Sequence, residues 1–474
     1  MSAAEVDLPP DQGRSWWLRE ALAADPGEPC PPLTGDHEAD VVIVGGGYTG
    51  LWTAWNLLER DPGLDIVLLE QDICGGGPSG RNGGFTNGWW TNLGELVELF
   101  GDERAIALCE AGDDSTIEIG SWCEANGVDA WYGRSGDLGV ATSPAQEGRG
   151  DQAVEIARHY GKADKVVALT QAQVRERIDA PALGAGLLNA VAATVQPARL
   201  ARGLRRVLLD KGLRIYEDSP VRRFSAGPPS FVETPGGRVR ADTAVLAVNA
   251  WAGHWRRFHH RVTVRGSYIV LTEPAPEHLE TLGWTGGEGL WNFRAAVNYV
   301  RTTADGRIAF GAGGMQPDVA RRIGPRFSYD EGFVARTAQQ FRRMFPSLAD
   351  VQLEAAWGGP IDVTGSHLPT FGTLAGTRTH YGFGYTGNGV APSHLGGKIL
   401  ASLALGEDDR WAQLPLVGHL PRRFPPEPIR SVGMFVANQA ILRKDDAEDL
   451  GRGSNPLVRF VARLPRRLGY HLGP

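Results

Sequence analysis

Residues Ala39 to Phe85 constrain this chain more than any other segment. Val41-Val42-Ile43-Val44, after Asp40, is a short β-branched run with the composition of a buried parallel strand. Gly45-Gly46-Gly47-Tyr48-Thr49-Gly50 follows at once, then the helical pattern Leu51 to Leu58. A second apolar run, Ile66 to Leu69, ends in Glu70 and Gln71. Strand, glycine turn, helix, strand and terminal acid stand at the spacing of a dinucleotide site. Gly45 permits the tight turn, Gly47 lets backbone approach a pyrophosphate, and Gly50 allows helix to pack on strand. The helix N-terminus, with Tyr48 and Thr49, presents N–H groups to the phosphates. Glu70 supplies the acceptor for a ribose. This unit suits FAD and NAD alike.

Two further segments separate those cofactors. Ser79-Gly80-Arg81-Asn82-Gly83-Gly84 is a glycine-rich loop just past the second strand. Far along the chain, Gly384-Tyr385-Thr386-Gly387-Asn388-Gly389 leads into Val390 and an apolar helical stretch to Leu405. A glycine turn feeding a helix N-terminus can hold the anionic side of a reduced flavin.

These segments resemble the D-amino-acid oxidase and sarcosine oxidase family of FAD enzymes, which includes glycine oxidase. The matching pieces also include Thr243 to Val248 with Asn249-Ala250-Trp251, and Val297 to Arg307. The likeness runs roughly from Trp16 to Asp449 and is nearest to the aminophosphonate oxidoreductase subgroup, through Thr194-Val195-Gln196-Pro197 and Phe424 to Arg430. It implies a Rossmann-like α/β FAD-binding domain with a second, mostly antiparallel substrate sheet. It also implies FAD, with contacts from the residues above and from Val221; because the last cysteine is Cys123 and His37 and His159 lie outside the cofactor motifs, non-covalent binding is expected.

On this basis the chain divides into an N-terminal arm at 1–36 and FAD-binding segments at 37–92, 191–262 and 353–430. Residues 93–190 form a helical segment and part of the substrate domain, 263–352 its antiparallel sheet, and 431–474 a C-terminal arm.

A net charge of −7 gives no support for nucleic-acid binding. Four cysteines at irregular spacing suit neither a disulfide framework nor a zinc site, and no metal is expected. The start of the chain has neither a basic region nor an apolar one, so a cytoplasmic location is expected. Arg452, Arg459, Arg463, Arg466 and Arg467 follow the last acid, Asp449. Pro465 interrupts their helical pattern, so the tail is expected to dock on an acidic surface of the same protein rather than on a membrane.

The chemistry implied is removal of hydride from the carbon of a small amine or amino-acid-like substrate, giving an imine and then an aldehyde or keto product. Oxygen or another electron acceptor takes the electrons, with peroxide as product if oxygen is the acceptor. A quinone or carrier protein is the alternative, as is a tailoring role on a larger amine scaffold. Tyr299 and Arg301 alternate along one strand, share a face, and are expected to meet the substrate. No lysine occurs between Lys211 and Lys398, so Arg301, with His394 second, is expected to supply the positive charge that oxygen needs. Tyr268 is expected in the core; Asn87, Trp89, Trp90 and Trp357 are candidate pocket walls.

Overall fold

A computed structural model describes residues 8–317 and 323–470. The apolar run Val41 to Val44 lies in the strand Gly35–Val44, at the centre of an eight-stranded sheet. It pairs in parallel with Gly237–Leu246 on one side and Ile66–Leu69 on the other. Val41 and Ile43 pack with the helices of one layer, Val42 and Val44 with residues of the opposite face. Burial on both faces is why the run is uninterrupted rather than alternating. Arg214–Tyr216 and Thr379–Phe383 extend the same sheet in parallel, so the chain leaves this layer and returns to it.

The helix Tyr48–Arg60 packs against Val390–Leu405 at close range: a Cβ at Gly397 would fall 2.5 Å from the Cβ of Trp52. The expected helical stretch from Leu93 is two helices, Leu93–Phe100 and Asp102–Ala125. Gly101 ends the first and begins the second with φ +80°, a left-handed conformation that favours glycine.

The second sheet also has eight strands, running Leu353–Thr364, Val262–Thr272, Ile308–Pro317, Asn298–Thr302, Gly289–Asn292, Asp137–Val140, Gly186–Asn189 and Val166–Leu169. All neighbours are antiparallel except Asp137–Val140 with Gly289–Asn292. The strand Leu353–Thr364, expected with the third FAD-binding segment, instead edges this sheet. Backbone pairing with Val262–Thr272 over its whole length decides the matter. One face packs on the helix Glu331–Met344 through Tyr268, Val300 and Phe310, so Tyr268 is a core residue as expected. The other face looks toward the nucleotide-binding layer.

The N-terminal arm is embedded. Ser15 caps the helix Trp16–Ala24, and Trp17 lies edge-on to Trp357 at 5.7 Å. The Trp17 indole N–H donates to the Asn82 carbonyl at 3.1 Å, which ties the arm to the Ser79–Gly84 loop. At the other end, helices Ile429–Asp449 and Pro456–Arg467 form a pair. Buried Arg294 anchors the first of them through Asp446 and Asp449. Pro465 lies inside the second helix and does not interrupt it. It sits in the last turn, where its missing N–H removes one hydrogen bond and Leu468 still closes onto the Leu464 carbonyl. Among the described residues, no helix is long and apolar enough to cross a membrane.

Candidate active site

A cavity of about 1580 Å³ runs between the two sheets. At its nucleotide end lie Gly45, Gly47, Tyr48, Thr49, Glu70, Gln71 and Val221. Gly45 takes φ +113°, and a Cβ there would fall 2.3 Å from the Ala247 carbonyl oxygen. Gly50 is outside the lining, but a Cβ there would come within 2.0 Å of the Gly45 carbonyl oxygen. Both positions therefore exclude side chains, as the turn requires. The Glu70 carboxylate accepts the N–H of Gly46 at 2.8 Å and of Asp72 at 2.9 Å. Burial nonetheless pushes its pKa up to about 7.

The middle of the cavity is bordered by Ser79, Arg81, Asn82 and Gly83 on one side and Asn249, Trp251, Thr386, Gly387, Asn388, Gly389 and Val390 on the other. Asn82 ties its loop together, accepting the Gly84 N–H at 2.7 Å and donating to the Pro78 and Ser79 carbonyls. Arg81 donates to the carbonyls of Gly76 and Gly358, bridging the loop to the second sheet. Gly84, Ala250 and Gly384 do not line the cavity. Ala250 packs with Val264 and Phe327. The Gly384 N–H donates to Asp362 at 2.5 Å, and Asn249 Nδ2 donates to the same carboxylate at 3.1 Å. Asp362 thus joins two cofactor-side segments; burial pushes its pKa up to about 7.

Beyond this the second sheet supplies a flat, largely aromatic surface. Tyr299 lies across its strand partner Gly311, where a Cβ would sit 2.0 Å from the ring. Trp291 lies likewise across Gly139, and Phe85 across Gly289. Tyr299 Oη and Ser267 Oγ are 2.9 Å apart. Beside them Arg265 is buried and lines the cavity, and neither its Nε nor its Nη2 has a partner. Burial lowers the Arg265 pKa to about 10. At the other end of the surface, Asp137 accepts from Asn87 Nδ2 at 2.8 Å and Trp291 Nε1 at 2.9 Å. The outer wall includes Ile156, Lys444 and Arg463.

Two expected catalytic residues lie elsewhere. Arg301 shares the sheet face of Tyr299, but two residues further along the strand that face is covered by the N-terminal arm. Its guanidinium donates to the Val195 carbonyl and sits 5.6 Å from the Trp17 ring, outside the cavity lining. His394 points from its helix into the layer of Trp52, 4.6 Å away, with Nε2 3.6 Å from Glu118. Burial and Lys398 push its pKa well below the usual histidine range, so it is a neutral packing residue. Trp89, Trp90 and Trp357 also lie outside the lining, whereas Asn87 is part of it. Arg265 and Asp137 went unmarked in the sequence. For Arg265 the signal was a charged residue inside the strand run that begins Val262-Thr263-Val264; Asp137 opens its strand after Arg134-Ser135-Gly136 and left no such mark.

Residues 40–403 match the model of the family described as FAD dependent oxidoreductase. The chain belongs to this family of FAD-dependent oxidoreductases. It is 30% identical over 405 residues to a probable oxidoreductase OrdL of Rhizobium meliloti, covering 84% of this chain and 90% of that one. It is 29% identical over 409 residues to gamma-glutamylputrescine oxidoreductase of Escherichia coli, covering 85% and 92%. The crystal structure of glycine oxidase from Geobacillus kaustophilus shares the fold, with a TM-score of 0.65 at 21% identity over 81% of this chain and 100% of that one. In this FAD-dependent oxidoreductase the family match stops at 403, before the helix pair Ile429–Asp449 and Pro456–Arg467. Part of the outer wall of the cavity therefore comes from outside the matched region.

Proposed function

We propose that this enzyme oxidises a small amine or amino-acid-like substrate at its C–N bond. The observation that carries the proposal is the aromatic chamber of Phe85, Trp291 and Tyr299, continuous with the cavity that the glycine turn and Glu70 begin. The residues fit FAD: the turn excludes side chains where a pyrophosphate needs backbone, and Arg265 offers unpaired N–H groups to an electron-rich partner. Gly45, Gly47, Tyr48, Thr49, Glu70, Gln71 and Val221 would hold the adenosine and phosphate part. Ser79 to Gly83, Asn249, Trp251 and Thr386 to Val390 would hold the remainder, with Gly50, Gly84, Ala250 and Gly384 shaping those segments from behind.

Bound FAD supplies a two-electron sink. The chamber's own work is to bury the amine, which favours its neutral form, and to exclude water while the C–H bond is oriented. The carbon gives up hydride, the nitrogen gives up a proton, and the C=N bond forms. Water then converts the imine to an aldehyde or ketone and releases the amine. Tyr299 and Ser267 are placed to position the substrate. Arg265 takes the electrostatic role that sequence assigned to Arg301 and His394, favouring anionic charge in the cavity and oxygen as acceptor. A small set of straight-chain amines and amino acids, added anaerobically to the purified holoenzyme, tests the reaction. Bleaching of the flavin absorbance by at least one amine is expected. Full retention of the oxidised spectrum with every amine, at one FAD per chain, would sink the proposal.

A further inference from the structure

Resting on amine oxidation in this chamber, we propose that Asp137 binds a second, distal ammonium group, so that diamines and polyamines are preferred over monoamines. Asp137 is 1% exposed, lines the cavity, and pairs across the sheet with Gly289 and Asn189. Its hydrogen-bond donors are neutral: Asn87, Trp291 and Asn189. A carboxylate has about four acceptor sites, so these partners leave room for another donor. No ion pair to Asp137 is present among the described residues, although burial of an uncompensated carboxylate is costly.

None of the cations that border the cavity pairs with Asp137 among the described residues, Arg81, Arg463 and Arg466 included. Arg149 donates to the Phe293 carbonyl and to Glu448, and Lys444 pairs with Asp445 and Glu448. Arg265 sits four strands away in the sheet order, about 19 Å across the strands at the usual spacing, and is offset along them as well, six residues from Leu271, which shares the row of Asp137. The chamber therefore has an anionic end at Asp137, a cationic end at Arg265, and an aromatic surface between them. An ammonium group meets the vacant acceptor sites of Asp137, and the apolar spacer of a diamine crosses the Trp291 ring. The second amine then lies toward Tyr299, away from the carboxylate that would keep it protonated. Asn87 and Trp291 hold the carboxylate in place from two sides.

The test is the apparent Kd of each amine, read by anaerobic rapid mixing with purified holoenzyme from how the flavin absorbance change depends on amine concentration, taken before bleaching where bleaching occurs. The probes are α,ω-diamines of three to six carbons and the matching n-alkylamines. The best diamine should bind about 10-fold or more tightly than its monoamine, the size expected of a charge-assisted hydrogen bond. Asp137→Asn should bring the two affinities together. Asp137→Glu, which advances the carboxylate by one methylene, should keep the preference and move its optimum to a shorter diamine. Equal affinities throughout the series in the unchanged protein overturn the proposal, including the case in which neither class binds. So does a diamine preference that survives Asp137→Asn. The series on the unchanged protein decides the matter even where a variant loses FAD. A diamine preference without any bleaching would keep the Asp137 site and remove the amine-oxidation reading.

Discussion

Arg265 and Arg301 lie on the same sheet face and are both buried, but their N–H groups meet different things. Those of Arg301 donate to the Val195 and Thr302 carbonyls, whereas Nε and Nη2 of Arg265 have no partner beside the cavity. Arg265→Met is therefore expected to slow reoxidation of the reduced enzyme by oxygen about 100-fold, the usual size for loss of one preorganised charge. Arg301→Met should leave that rate unchanged while lowering the melting temperature. Rapid mixing of photoreduced enzyme with oxygenated buffer measures both, and equal reoxidation in the Arg265 variant and the parent would place the charge elsewhere. Glu70 gives a second residue-scale test. Glu70→Ala is expected to weaken FAD binding about 10-fold, since a ribose acceptor is lost while the turn remains. In the FAD-free protein its pKa is raised to about 7, above the unfolded value near 4.3. Its contribution to stability is fully present below the unfolded value and is lost as pH rises through 7. The melting temperature of FAD-free Glu70→Gln should gain on the parent between pH 5 and 8; a constant gap would contradict the assignment.

At the scale of elements, the helix Trp16–Ala24 acts as a wedge between the second sheet and the loop from Ser79 to Gly84. Trp17 is fully buried, meets Trp357 edge-on, and donates to the Asn82 carbonyl. Truncation to alanine removes a large buried ring, at a cost of about 3–5 kcal/mol. Because Asn82 borders the cavity, Trp17→Ala should also raise the rate of FAD release. Stopped-flow recovery of flavin fluorescence on dilution would show it, and an unchanged rate beside a lowered melting temperature would confine Trp17 to stability alone. The helix Pro456–Arg467 is the opposite case. None of its residues is buried, and Leu457 and Phe460 face solvent. Among the described residues the ion pair of this helix is Arg466 with Glu95 at 3.9 Å, on the side where docking on an acidic surface was expected.

At the scale of the molecule, the cavity is a seam between two sheets built from alternating stretches of chain. No cysteine lines it: Cys74, Cys109 and Cys123 are buried in the nucleotide-binding layer and Cys30 packs against that layer, so of the described cysteines and histidines, through which flavins are attached, only histidines, His159 and His367, border the cavity. Non-covalent FAD follows as an expectation. Acid precipitation should release the yellow colour into the supernatant, and colour kept in the washed pellet would refute it.

The sequence by itself determined the nucleotide-binding unit, from the β-branched run through Gly45 and Gly50 to Glu70. Turn geometry, helix start and strand burial are local and leave their marks at fixed spacing. It also determined the shared face of Tyr299 and Arg301, because side-chain direction alternates along any strand. Only the tertiary structure decided which part of that face meets the cavity. The N-terminal helix covers Arg301, while the neighbouring strand exposes Arg265, and neither fact is written within either strand. Asp137 entered the site in the same way. It reaches Trp291 through the one parallel pairing in the second sheet, between segments more than a hundred residues apart. Register between distant strands is set by packing of the whole core, so those contacts could not be read from spacing along the chain.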